Sequence, residues 1–86
     1  MTATVDMLSE NAIANVVHRM LRQRAINRTA RPQEDLRDIG LNSLDMVELV
    51  LSVESTLDLT IPETAITPRN FRSIASINAL VTSLRA

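Results

Sequence analysis

Turn-forming residues are scarce in this chain, which has one glycine and three prolines among 86 residues. A sandwich or barrel of short strands needs a turn roughly every 8 to 12 residues, and that supply of Gly and Pro is missing, so the sequence points to packed helices. Phe71 is the sole aromatic residue and cysteine is absent. The core must therefore be aliphatic, and disulfides, thiolate metal sites and thiol nucleophiles are excluded. The length supports one domain over residues 1–86 without a deep internal active site, which places function on the surface.

Three helices follow from apolar spacing. In the first, Ala12, Ile13, Val16, Val17, Met20 and Leu21 share one face, with a start expected between Val5 and Ser9. The middle helix runs from Ser43 to about Leu57. The last carries Ile74, Ile77, Leu80, Val81 and Leu84 on one stripe, with Asn70 or Ser73 available as its N-cap. Between the first two lies a polar connection, roughly Ile26 to Asn42, broken by Pro32 and Gly40. A loop that long in a chain this short implies a purpose. One short helical turn is expected near Pro62 to Ile66 before the last helix.

The middle helix has two apolar stripes. Met46, Leu49, Val50, Val53 and Leu57 gather on one face as a core stripe. Leu44, Val47 and Leu51 recur on the opposite side, bordered by Asp45, Glu48 and Glu54, and a bundle helix does not need that second stripe unless a partner docks there. Charge is uneven in the same way. All nine basic residues are Arg, and the segment from Pro32 to Glu63 holds eight carboxylates against Arg37 alone. An acidic centre flanked by basic ends would steer basic partners to one part of the surface.

Most other chemistries find no support. His18 is the single histidine and sits on the Arg-bearing polar face of the first helix, where a surface role is expected rather than acid–base or metal chemistry. Glu34, Asp35 and Asp38 lack the spacing of a calcium loop, so no metal site is expected. The arginines are not interleaved with aromatics, so no nucleic-acid partner is expected. No apolar run is long enough to span a membrane, and the segment MTATVDMLSENA has no basic region followed by an apolar stretch, so a cytoplasmic protein is expected.

The segment DIGLNSLDMVEL, Asp38 to Leu49, places a turn at Gly40 and then Ser43 where a helix begins. Ser43 could serve simply as an N-cap. Its hydroxyl would also be exposed there, beside backbone N–H groups that favour an incoming phosphate, which is what a modification acceptor needs. The sequence resembles the acyl and peptidyl carrier proteins, in which G-x-D-S-L-x-x-x-E-L surrounds the serine that receives 4′-phosphopantetheine; here it reads GLNSLDMVEL. Nearly the whole chain shares the resemblance, through DLRDIGL, SLDMVELVLSVESTLDL, IPE and NFRSI.

The resemblance implies an all-α, four-helix acyl-carrier-protein-like bundle with a long loop between helices one and two and a short third helix. It implies a monomer that is not an enzyme and holds acyl or aminoacyl cargo as thioesters on a 4′-phosphopantetheine arm covalently attached to Ser43. The docking face would comprise Leu44, Asp45, Val47, Glu48 and Leu51, and Ile61 and Ala65 would lie near the acyl-binding end. The implied partners are a phosphopantetheinyl transferase, an acyl or aminoacyl ligase and downstream acyl-transfer enzymes. Asn42 stands where the family usually has Asp, and Ser55 and Thr56 stand where fatty-acid carriers tend to have glutamates. With the segment TPRNFRSI, these departures point to a dedicated biosynthetic pathway. The competing reading is an unmodified helical module that binds one partner through the Leu44, Val47 and Leu51 stripe.

Overall fold

Residues 2–23 contain neither Gly nor Pro, so nothing interrupts helix formation until the chain needs to turn. The structure, a computed structural model, describes residues 2–85, with side chains described from residue 8 onward. The elements are α1 (Thr2–Gln23), α2 (Ser43–Leu57), a 3₁₀ turn (Glu63–Ala65) and α3 (Ile74–Arg85). Helix α1 thus starts earlier than the expected Val5 to Ser9. The fold is all-α, but the count of four helices is corrected to three α-helices and one 3₁₀ turn among the described residues. Pro62 and Pro68 bracket the turn and leave too few residues between them for a longer helix.

Helix α1 buries Ile13, Val16, Val17, Met20 and Leu21, a spacing of three and four residues that puts all five on one face. It packs against both α2 and α3. Helix α2 adds Leu49, Val50 and Val53, and α3 adds Ile74, Ile77 and Val81, to one continuous core. The radius of gyration is 12.0 Å, close to the ~12 Å expected for a folded chain of this length. The long connection is therefore part of the folded body.

The connection is held at several points. Ala30, Leu36, Ile39 and Leu41 are buried in the core. The Ala30 N–H donates to His18 Nε2 at 3.1 Å, the Leu36 N–H to the Arg72 carbonyl at 2.8 Å, and the Ala75 N–H to the Pro32 carbonyl at 2.8 Å. His18 is thus a loop anchor. Gly40 has φ +116°, a conformation that calls for glycine, and a Cβ there would lie 2.7 Å from Ile26 Cδ1, which would have to shift.

Helix ends are closed by side chains and turns. Ala25 has φ 59° and stands just beyond α1, where the Ile26 N–H reaches back to the Leu21 carbonyl at 2.8 Å and the Ala25 N–H to the Arg22 carbonyl at 3.0 Å. Those two bonds form a Schellman closure, in which the left-handed residue is usually glycine. At α3, Ser73 Oγ accepts from the Ser76 N–H at 3.1 Å while Ser76 Oγ accepts from the Ser73 N–H at 3.0 Å. Ser73 is therefore the cap, and Asn70 instead donates its Nδ2 to the Ala65 carbonyl at 2.8 Å.

Candidate attachment site and docking face

Asn42, one residue before Ser43, caps α2. Its Oδ1 accepts from the Leu44 N–H at 2.9 Å and the Asp45 N–H at 3.1 Å, and Asp45 Oδ2 accepts in return from the Asn42 N–H at 2.8 Å. This reciprocal pair is a capping box. Capping by Ser43 is corrected accordingly, because the Asn42 amide oxygen already serves the N–H groups a cap would take. Ser43 is the first helical residue, exposed, and its hydroxyl makes no hydrogen bond among the described residues. Asn and Asp cap helices about equally well, so Asn42 keeps the geometry while removing a negative charge beside the hydroxyl.

The second stripe of α2 is open. Leu44 is 79% exposed, Val47 59% and Leu51 61%, and Glu48 is exposed beside them. Asp45 does not belong to that face. It is 7% exposed, and Arg24 donates to its Oδ1 from Nε at 3.0 Å and Nη2 at 2.6 Å. The capping box turns its carboxylate back toward the helix start, where α1 ends, which removes it from any rim. Glu54 is also engaged, its Oε2 accepting from the Ile61 N–H at 2.7 Å.

Much of the acidic centre is neutralised internally. Arg24 pairs with Asp45, Arg28 with Glu34, and Arg37 and Arg72 approach Asp35 at 3.9 and 4.0 Å. Asp38, Glu48, Asp58 and Glu63 remain exposed. Of the acids expected to border the stripe, Glu48 is the one left facing outward.

A cleft of about 200 Å³ opens beside Ser43. Ser43, Met46, Val47 and Val50 of α2 form one wall, Ile66, Thr67, Pro68 and Phe71 the other, and Arg37 and Arg72 complete the lining. Ile61 and Ala65 are not part of it. Ile61 is 3% exposed within the core and Ala65 is half-buried against it, so neither of these expected acyl-pocket residues lines this cleft. Phe71, a core residue at 2% exposure, borders the cleft, a position that its being the lone aromatic did not reveal. No group of three or more His, Cys, Asp or Glu residues suited to a metal occurs among the described residues, and no described helix is long and apolar enough to cross a membrane.

These features suit a phosphopantetheine group. The hydroxyl is unshielded, the helix start and two guanidinium groups favour an anionic phosphodiester, and the neighbouring cleft is largely apolar. A small helical bundle that presents a free serine at a helix start, next to an exposed apolar stripe, is built as a carrier domain. The family described as "Phosphopantetheine attachment site" matches residues 11–84, and the chain belongs to this family of carrier proteins.

Two curated relatives are aminoacyl carrier proteins of Bradyrhizobium diazoefficiens. Aminoacyl carrier protein 2 is 43% identical over 84% of this chain and 81% of its own length. Aminoacyl carrier protein 1 is 44% identical over 83% and 79%. Among solved structures, the Bradyrhizobium japonicum glycine:[carrier protein] ligase complexed with its cognate carrier protein and an analogue of glycyl adenylate includes a similar chain. The TM-score is 0.79 at 39% identity, covering 88% of this chain and 97% of that one. The same ligase complexed with glycylated carrier protein gives 0.77 at 40% identity, covering 85% and 97%.

Proposed function

We propose that this protein carries aminoacyl or short acyl intermediates in a dedicated biosynthetic pathway, with Ser43 as the attachment residue and no catalysis of its own. The observation that carries the proposal is the division of labour at the start of α2, where Asn42 and Asp45 do the capping and leave the Ser43 hydroxyl exposed. In the modification step Ser43 Oγ bonds to the pantetheine-side phosphorus of a coenzyme A donor. The bond from that phosphorus to the second phosphate breaks, the adenosine bisphosphate departs, and the hydroxyl proton passes to a base of the transferase. When bound, the group supplies a thiol on a flexible arm, which holds cargo as a thioester and makes a bimolecular encounter local.

The residues of this chain then govern docking. Leu44, Val47 and Leu51 offer a small apolar stripe, suited to contacts weak enough to exchange one enzyme for the next, and Glu48 supplies a charge for orientation. Asn42, Ser55 and Thr56 reduce the negative charge that fatty-acid synthase enzymes would meet. The similarity to aminoacyl carriers and to a ligase-bound carrier favours an aminoacyl ligase as the loading partner. The cleft of about 200 Å³ is partly open to solvent, which suits a short cargo better than an enclosed long chain.

The test is loading of the phosphopantetheinylated protein by a glycine or related aminoacyl ligase and by a malonyl transferase, with an acidic fatty-acid carrier as reference. Faster aminoacyl loading and poor malonyl loading relative to the reference are expected. Equal malonyl loading of both carriers across a salt series, with no aminoacyl loading, overturns the pathway assignment.

A further inference from the structure

We infer that Arg37 and Arg72 form a seat for the phosphodiester of the arm on Ser43, so that between encounters the arm lies along the cleft toward Phe71 rather than ranging through solvent. This rests on Ser43 as the attachment residue.

The two arginines have tied backbones and exposed guanidinium groups. The Arg37 N–H donates to Asp35 Oδ1 at 2.9 Å, and the Arg72 carbonyl accepts from the Leu36 N–H at 2.8 Å, so both backbones are tied to the loop before α2. Their side chains are 61% and 60% exposed, and each Nε approaches Asp35 only to 3.9 and 4.0 Å. Those separations exceed hydrogen-bond length. The two guanidinium groups share Asp35 as long ion pairs without a hydrogen bond to it, so their N–H donors stay open.

The charges favour a monoanion. One carboxylate between two guanidinium groups leaves one positive charge uncompensated, and both arginines line the same cleft as Ser43. A phosphodiester carries one negative charge and accepts the paired N–H donors of a guanidinium. Asn42 strengthens the match, because an Asp in its place would repel the phosphodiester. The same cleft is lined by Ile66, Pro68 and Phe71, against which the pantetheine methyl groups and the start of a short cargo can pack. A docking enzyme that offers its own anion site would then draw the arm out.

The experiment uses the full chain carrying a ¹³C-labelled pantetheine arm, with attachment to Ser43 first established by mass. Isotope-filtered NOEs from the arm methyls to Ile66 and Phe71 are measured at low salt and near 0.5 M salt. Contacts are expected at low salt and should fall at least twofold at high salt, as the Debye length shrinks to a few ångströms. The Arg37→Gln/Arg72→Gln variant should lose them to a similar degree, and Arg37→Lys/Arg72→Lys should retain part of them. Asp35→Asn, which removes the competing carboxylate, should strengthen them, an outcome that a purely structural role for the arginines does not produce. Undisturbed amide shifts at Leu49 and Val53 report that the variants remain folded. If the arm is on Ser43 but makes no such contacts, or keeps them unchanged in the Gln variant, the seat is wrong while the carrier reading stands. If Ser43 is not modified, both fail.

Discussion

Asp45 offers a direct test of the difference between a docking residue and a structural one. Its carboxylate accepts from the Asn42 N–H at 2.8 Å and from Arg24 at 3.0 and 2.6 Å, and it is 7% exposed. Asp45→Ala removes the return bond of the capping box and leaves a partly buried N–H without its acceptor. A hydrogen bond to a charged group contributes about 1.5 to 3 kcal/mol. The Arg24 side chain is 41% exposed, so solvent screening limits the ion pair to about 0.2 to 1 kcal/mol. The substitution should cost about 2 to 3 kcal/mol in all, and Asp45→Asn, whose amide oxygen can still accept from Asn42, about 1 kcal/mol. With a urea m-value near ~1 kcal/mol/M for a small domain, Asp45→Ala should lower the unfolding midpoint by about 2 to 3 M. Followed by circular dichroism, a double-mutant cycle of Asp45→Asn with Arg24→Gln should give a coupling of about 0.5 to 1 kcal/mol. Glu48→Gln is the contrast, expected to leave stability within ~0.5 kcal/mol while changing the salt dependence of partner docking. If Asp45→Ala costs under ~0.5 kcal/mol, or the cycle is additive, the inward assignment of Asp45 is refuted.

Ala25→Gly should stabilise the protein by about 0.5 to 1 kcal/mol, because relief of a left-handed alanine outweighs the added freedom of glycine in the unfolded chain; a fall in the urea midpoint contradicts the Schellman closure of α1. Val47→Asp, on the exposed stripe, should keep stability within ~0.5 kcal/mol yet lower kcat/KM for cargo transfer by roughly fivefold or more, equivalent to about 1 kcal/mol of lost docking. Unchanged transfer would move the docking face elsewhere. Glu34 accepts from the Arg31 backbone N–H at 3.1 Å and pairs with Arg28, and the Arg31 N–H first, then Arg28, hold its carboxyl below the usual carboxylate range. A depressed folded value means that the loop closure is stabilised above the unfolded value and lost as pH falls through the folded one. The Arg31 amide resonance should therefore titrate with a midpoint below the ~4.3 of a free glutamate, and a midpoint at or above that value contradicts the contact.

The helices were legible because their signals are local. The core stripes of α1, α2 and α3 recur every three or four residues, and the surplus stripe of Leu44, Val47 and Leu51 marked an outward face on spacing alone. The start of α2 was read less well because two caps overlap in Asn42, Ser43, Leu44 and Asp45. The pattern of Asn42 followed three residues later by an acid was a usable sign that the cap lies one residue before the serine. Arg24 is 21 residues from Asp45, and nothing in the sequence pairs them. The connection before α2 buries Ala30, Leu36, Ile39 and Leu41 without helical or strand period, so its place in the core is a tertiary result. The cleft also forms in tertiary space, from α2, the loop before it and the segment after the 3₁₀ turn, which is why Ile66, Phe71, Arg37 and Arg72 were not anticipated as its lining.

The most direct test of the carrier reading is the intact mass of the wild-type protein and Ser43→Ala after co-expression with a promiscuous phosphopantetheinyl transferase. Since Asn42 does the capping, Ser43→Ala should stay within ~0.5 kcal/mol of the wild type and keep its helical circular dichroism. One added phosphopantetheine is expected on the wild type and none on the folded variant. A wild-type protein that stays unmodified, or a Ser43→Ala protein that still gains the group, contradicts the carrier reading at Ser43.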